Sequence, residues 1–155
     1  MLVPGDVLMV ERQFYQHFAI YHDYDGNVIH YSGEPLQKNN ASIKISPFKN
    51  FLGKEKVFYT LNINKSFLRK TILARANARL GSHNYNLLNN NCEHFVNWCA
   101  LGVKECKQIN RLLDLTLFKL FPNLILCNIS PTFKNKLLTY DIKEKYIYIK
   151  PQKQV

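Results

Sequence analysis

Asn91-Cys92-Glu93-His94-Phe95-Val96-Asn97-Trp98-Cys99-Ala100-Leu101-Gly102-Val103 places a cysteine where a helical pattern opens. Phe95, Val96, Cys99, Ala100 and Val103 recur at the steps of one apolar helix face, and Gly102 lies near its end. A thiol at that position has two readings. The free amides and the macrodipole of a helix start stabilise a thiolate, which is what a nucleophile requires. A cysteine on an apolar helix is also an ordinary small buried hydrophobe.

Upstream of this helix the pattern is different. Val7-Leu8-Met9-Val10, Phe18-Ala19-Ile20-Tyr21, Val28-Ile29-His30-Tyr31, Ile43-Lys44-Ile45 and Val57-Phe58-Tyr59 are short runs rich in β-branched and aromatic residues. Turn residues separate them, and Asp23-Tyr24-Asp25-Gly26-Asn27 is the strongest hairpin signal. An antiparallel meander is the expectation. A further helix is expected from Ser66 as its cap, through Phe67, Leu68, Ile72, Leu73, Ala76 and Leu80, to a stop at Gly81.

Two histidines fall on adjacent strands of that meander. A two-residue turn at Asp25-Gly26 would pair Tyr21 with His30 and leave His17 four residues away. A four-residue loop, His22 to Asp25, pairs residues whose numbers sum to 47 and sets His17 opposite His30. The chemistry favours the wider loop. His17 could then take the proton of Cys92 and return it to a leaving group, while His30 fixes its orientation and tautomer. His22, His83 and His94 carry no expected role, because His94 lies about 200° around the helix from Cys92.

Composition bounds the remainder. At 155 residues, 46% hydrophobic and 21% charged, the chain is expected to be one packed domain. We place its boundaries at 1–125, with 126–155 a basic C-terminal extension of the same domain. The net charge is +10, and residues 101–155 hold 10 Lys and Arg against 4 Asp and Glu, so anionic partners are favoured. Cys92, Cys99, Cys106 and Cys127 show no CxxC pair, which argues against zinc, and no signal-peptide pattern opens the chain. No metal or cofactor is expected, and reduced thiols in a cytoplasmic setting are. Residues 112–127 are the most apolar stretch, but Asp114, Lys119, Pro122 and Asn123 interrupt it, and a bilayer span needs about 20 apolar residues. The expectation is no stable transmembrane anchor and only weak peripheral contact with anionic membrane.

Asn91-Cys92-Glu93-His94-Phe95-Val96 resembles the signature of the lecithin:retinol acyltransferase-like family. Pro4-Gly5-Asp6-Val7 is similar to that family's opening strand, Tyr15-Gln16-His17-Phe18-Ala19-Ile20-Tyr21 to its first histidine box, and Val28-Ile29-His30 to its second. Arg79-Leu80-Gly81 and Tyr85-Asn86-Leu87-Leu88 resemble the approach to its cysteine. The resemblance implies an α+β, circularly permuted papain-like (NlpC/P60) fold with an antiparallel sheet packed against helices. It implies Cys92 as nucleophile, His17 as base and His30 as the orienting residue, with Tyr15 and the Cys92 amide as oxyanion candidates. The implied reaction moves a fatty acyl group from glycerophospholipid onto the thiol, then to water or an amine. Phe18 replaces the family's usual Trp, and the interrupted stretch replaces its usual membrane helix.

Viral 2A proteins of the H-box/NC type also resemble this domain, and they define the alternative. In that reading the chain is a noncatalytic module binding RNA or a host protein, in the host cytoplasm. A cysteine peptidase of the wider superfamily is a third class, against which the six-residue signature argues.

Overall fold

The structure is a computed structural model that describes residues 1–13, 15–32, 41–64, 66–83, 91–103 and 140–148. Its elements run β1 (Val7–Glu11), β2 (Gln16–Tyr21), β3 (Asn27–Ser32), β4 (Ser42–Pro47), α1 (Phe48–Leu52), β5 (Val57–Ile63), α2 (Arg69–Asn77), α3 (Cys92–Leu101) and β6 (Tyr140–Ile147). The five strands expected in the first half are all present. They form, with β6, one sheet of six strands in the order β4-β3-β2-β1-β5-β6, and every pairing is antiparallel.

Strand alternation gives the sheet two apolar faces. Val7 and Met9 of β1, Phe18 and Ile20 of β2, and Ile29 and Tyr31 of β3 pack with Ile72 and Ala76 of α2 and with Cys92, Phe95, Val96 and Cys99 of α3. Leu8 and Val10, Ala19 and Tyr21, and Val28 face the other way and pack with Phe48, Phe51 and Leu52 of α1. Phe18 and Phe51 are fully buried, one on each side. Truncating either to Ala removes packing worth about 3–5 kcal/mol.

The opening Pro4-Gly5-Asp6 joins the first strand to α2. Gly5 has φ +93, and a Cβ there would lie 2.4 Å from the Arg69 carbonyl oxygen, so only glycine permits this approach. Asp6 Oδ1 then accepts a 2.6 Å bond from Arg69 Nε.

Four local expectations need correction. Ser66 does not cap α2: the Phe67 amide is bonded to Ala100 O, which holds the chain against α3, and the helix starts at Arg69 with Leu68 at the cap position. The helix also ends at Asn77 rather than at Gly81, and Leu68 and Leu80, which lie outside it, are exposed, while Ile72 and Ala76 are buried as expected. The hairpin register pairs Ile20 with Ile29 and Tyr21 with Val28, so paired numbers sum to 49 and His17 is not directly opposite His30. His22 N–H donates to Asn27 O, so the loop has the four residues expected but runs from Asp23 to Gly26, one residue later, where the Asp23 carboxylate accepts bonds from the Asn27 backbone and side-chain amides. Finally, α1 was not expected. Its five residues are too short for a periodic signal, although Phe48, Phe51 and Leu52 have the spacing of one helix face and Gly53 ends it at φ +64.

β6 runs from Tyr140 to Ile147 and forms the edge of the sheet beside β5. The apolar stretch 112–127, the domain boundary at 125, Cys106, Cys127 and Tyr85-Asn86-Leu87-Leu88 lie outside the described residues. Among the described residues no helix is long and apolar enough to cross a membrane.

Candidate active site

β2 and β3 are paired only at Ile20↔Ile29 and Tyr21↔Val28. β1 nevertheless holds β2 back to Gln16, and β4 holds β3 out to Ser32. The two strands therefore part at the end that carries His17 and His30. Arg12 N–H donates to Tyr15 O and Tyr21 N–H to Asp6 O, so odd-numbered residues of β2 turn their backbone groups to β1 and even-numbered ones toward β3. The Cys92 thiol donates to Gln16 O at 3.7 Å, and so occupies the opening from the α3 side.

The two imidazoles meet in the same opening on the α1 side. His17 Nε2 lies 3.0 Å from His30 Nδ1, with both residues buried. The ring of Phe51 lies 5.2 Å from that of His17 and 5.9 Å from that of His30. Arg12 fixes Phe51 in place by donating to Phe51 O at 2.6 Å and Leu52 O at 2.8 Å. The structure thus joins His17 to His30 by a diagonal contact, despite the shifted register. It brings Cys92 to the backbone beside His17 and forms no hydrogen bond between the thiol and either imidazole.

Electrostatics keep all three groups uncharged at neutral pH. Burial lowers His17 to about 3, with the neighbouring His30 and Arg12 adding to the effect. Burial lowers His30 to about 4, against a backbone bond at Tyr31 that raises it, and Arg12 lowers it further. Cys92 is pushed up to about 11. The amides of Phe18, Glu93 and Cys92 itself do favour the thiolate, as a helix start should, but desolvation outweighs them. The lowering read from the helix start in the sequence is thus present, and burial reverses the sign of the net shift.

The helix start holds a feature that the sequence reading passed over. Asn91 is the N-cap of α3, and its Oδ1 accepts bonds from the Glu93 amide at 2.9 Å and the His94 amide at 3.0 Å. His94 Nδ1 reaches back to the Asn91 amide at 3.4 Å and completes a capping box. The Asn at N-cap with a hydrogen-bonding side chain three residues later was the available signal. It was hidden because His is not the usual Glu or Gln at that position.

Other residues take smaller parts. Tyr15 sits edge-on to His17 with ring centroids 6.3 Å apart. His22 bonds Asp23 at 2.6 Å in the hairpin, away from the thiol. No cluster of three His, Cys, Asp or Glu suited to a metal ion occurs among the described residues.

A six-stranded antiparallel sheet, a cysteine at the first position of a helix packed on it and two coupled histidines at its parted strands define an α+β protein of the NlpC/P60 papain-like type. The sequence profile described as Lecithin retinol acyltransferase matches residues 1–105, and the chain belongs to that family. It is 31% identical over 130 residues to human "Phospholipase A and acyltransferase 1", covering 72% of this chain and 74% of the relative. It is 29% identical over 126 residues to human "Phospholipase A and acyltransferase 3", covering 71% and 77%. Mouse "Lecithin retinol acyltransferase" is 30% identical over 140 residues, covering 72% of this chain and 60% of the relative.

Proposed function

We propose that the chain is a thiol-dependent acyltransferase and phospholipase A-type hydrolase that acts on glycerophospholipid through an acyl-thioester at Cys92. The observation that carries this reading is the seat of Cys92 at the opening between β2 and β3, where His17 and His30 are already hydrogen-bonded. The names of the relatives support it over the noncatalytic RNA- or protein-binding alternative.

The histidine pair itself limits the mechanism. One nitrogen of the 3.0 Å contact donates and the other accepts. If His30 donated, the free nitrogen of His17 would carry a proton and could not act as a base. If His17 Nε2–H donates to His30 Nδ1, His17 Nδ1 keeps its lone pair, and this is the tautomer that catalysis requires. His30 Nε2–H is then left without a partner in a buried position, and the structure shows that nitrogen unpartnered.

In the reaction the thiol proton passes from Cys92 to His17 Nδ1 as the sulfur bonds to the ester carbonyl carbon. The tetrahedral oxyanion is met by the Cys92 amide, with Tyr15 as the second candidate donor. Collapse breaks the bond to the glycerol oxygen, which takes the proton from His17 and leaves as lysophospholipid. Water or an amine then attacks the thioester, gives its proton to His17, and the departing thiolate recovers it. The first step requires the thiol to leave Gln16 O and reach His17 Nδ1. Fatty-acid release from phosphatidylcholine by the wild-type chain, and its absence in Cys92→Ser, tests the reading. Release by both proteins would refute it.

A further inference from the structure

From Lys56 to Cys92 the sequence contains no Asp or Glu, and it carries Lys56, Lys65, Arg69, Lys70, Arg75 and Arg79. Four of these lie on or just after α2. Arg69 is neutralised by Asp6. Lys70 is exposed, and neither Arg75 nor Arg79 has a carboxylate partner among the described residues. Both guanidiniums are instead held at one indole, that of Trp98 on α3, with centroid distances of 4.0 Å for Arg75 and 4.3 Å for Arg79. Arg75 also donates twice to Trp98 O, so its position is fixed by backbone. At the start of the same helix Phe67 is 41% exposed and Leu68 81% exposed.

We propose that the basic surface around α2, to which Lys70, Arg75, Arg79 and Trp98 contribute with Phe67 and Leu68, is the surface by which the chain lies on an anionic phospholipid bilayer. The inference rests on the reading of phospholipid as substrate and names where the membrane meets the protein. Uncompensated cations beside exposed aliphatic and aromatic side chains are the composition of an interfacial helix, which combines attraction to anionic headgroups with apolar insertion. A nucleic acid matches less well, because base stacking needs an open aromatic face and the Trp98 ring is occupied by guanidiniums.

The test uses the full chain as Cys92→Ser, so that binding is read without turnover and stands whether or not the catalytic reading does. Flotation is compared with vesicles of phosphatidylcholine alone and with added phosphatidylserine. The expected result is binding that requires phosphatidylserine, falls with salt, and drops by about tenfold or more in Lys70→Glu/Arg79→Glu. Leu68→Asp, which supplies the side-chain cap that α2 lacks and so preserves the helix, should also weaken binding. Lys49→Glu/Lys54→Glu, at exposed positions on and just after α1 across the sheet, makes the same charge change and should leave binding at the starting level. The proposal is overturned if neither vesicle binds, if the α2 reversals leave binding unchanged while circular dichroism shows a folded chain, or if the Lys49 and Lys54 reversals abolish it. Loss of a salt-sensitive RNA mobility shift on α2 reversal, with vesicle binding retained, would also overturn it and assign the face to nucleic acid.

Discussion

His17 Nε2 and His30 Nδ1 lie 3.0 Å apart in a buried site, where burial and Arg12 hold both imidazoles neutral. Their folded values, about 3 and about 4, are below the ordinary 6.5, so the unfolded chain binds more protons between these limits. The contribution to stability is fully present above about pH 6.5 and is lost as pH falls toward 3. Thermal unfolding should therefore show a Tm that is flat above neutrality and falls steadily from about pH 6.5 to 4, reflecting a loss of stability on the order of a few kcal/mol. His30→Phe should flatten part of that slope. A Tm independent of pH over this window would contradict the buried neutral pair.

Cys92 at about 11 and 5% exposure should react slowly with iodoacetamide at pH 7 in the free chain. The rate should climb by about tenfold per pH unit toward pH 10, following the thiolate fraction. Added phospholipid vesicles should speed labelling at pH 7 if substrate contact turns the thiol toward His17. Fast, pH-independent labelling of the free chain would show that the thiol is ionised at rest.

The capping box gives a graded prediction. Asn91→Ala leaves the Glu93 and His94 amides without their acceptor and should cost about 1–2 kcal/mol in denaturant unfolding. His94→Gln keeps a hydrogen-bonding group at the third helical position and should retain most of the turnover, whereas His94→Leu should lose both stability and turnover. Equal behaviour of the Gln and Leu variants would remove His94 from the positioning of Cys92.

Turnover should order the site residues. His17→Ala is expected to lower kcat by about 10²–10⁴-fold, the usual contribution of a positioned base. His30→Ala should cause a smaller or similar loss, because His17 remains but its tautomer and orientation are no longer fixed. A His17→Ala enzyme at full rate would exclude the imidazole as base.

Much of this was legible in the sequence because the strands are short apolar runs bounded by turn residues. The α3 face is set by Phe95, Val96, Cys99 and Ala100, all buried against the sheet. The family signature around Cys92 pointed to the thiol and both histidines together. What escaped depended on contacts distant in sequence or on side chains acting as backbone. The hairpin loop begins one residue later than expected, at Asp23, whose carboxylate binds the Asn27 amide, a contact that a count of loop residues does not include. The seat of Phe51 under the imidazoles depends on Arg12, 39 residues earlier. The raised pKa of Cys92 arises from burial by the folded chain, whereas the sequence shows only the helix start that lowers it.

The central claim, an acyl-thioester on Cys92, is tested most directly by intact-mass spectrometry after brief exposure to phosphatidylcholine and acid quench. The account predicts an added acyl mass on the wild-type chain, removed by neutral hydroxylamine, mapped to Cys92 and absent from Cys92→Ser. Fatty-acid release by wild type with no adduct at Cys92, or an adduct that persists in Cys92→Ser, would contradict it.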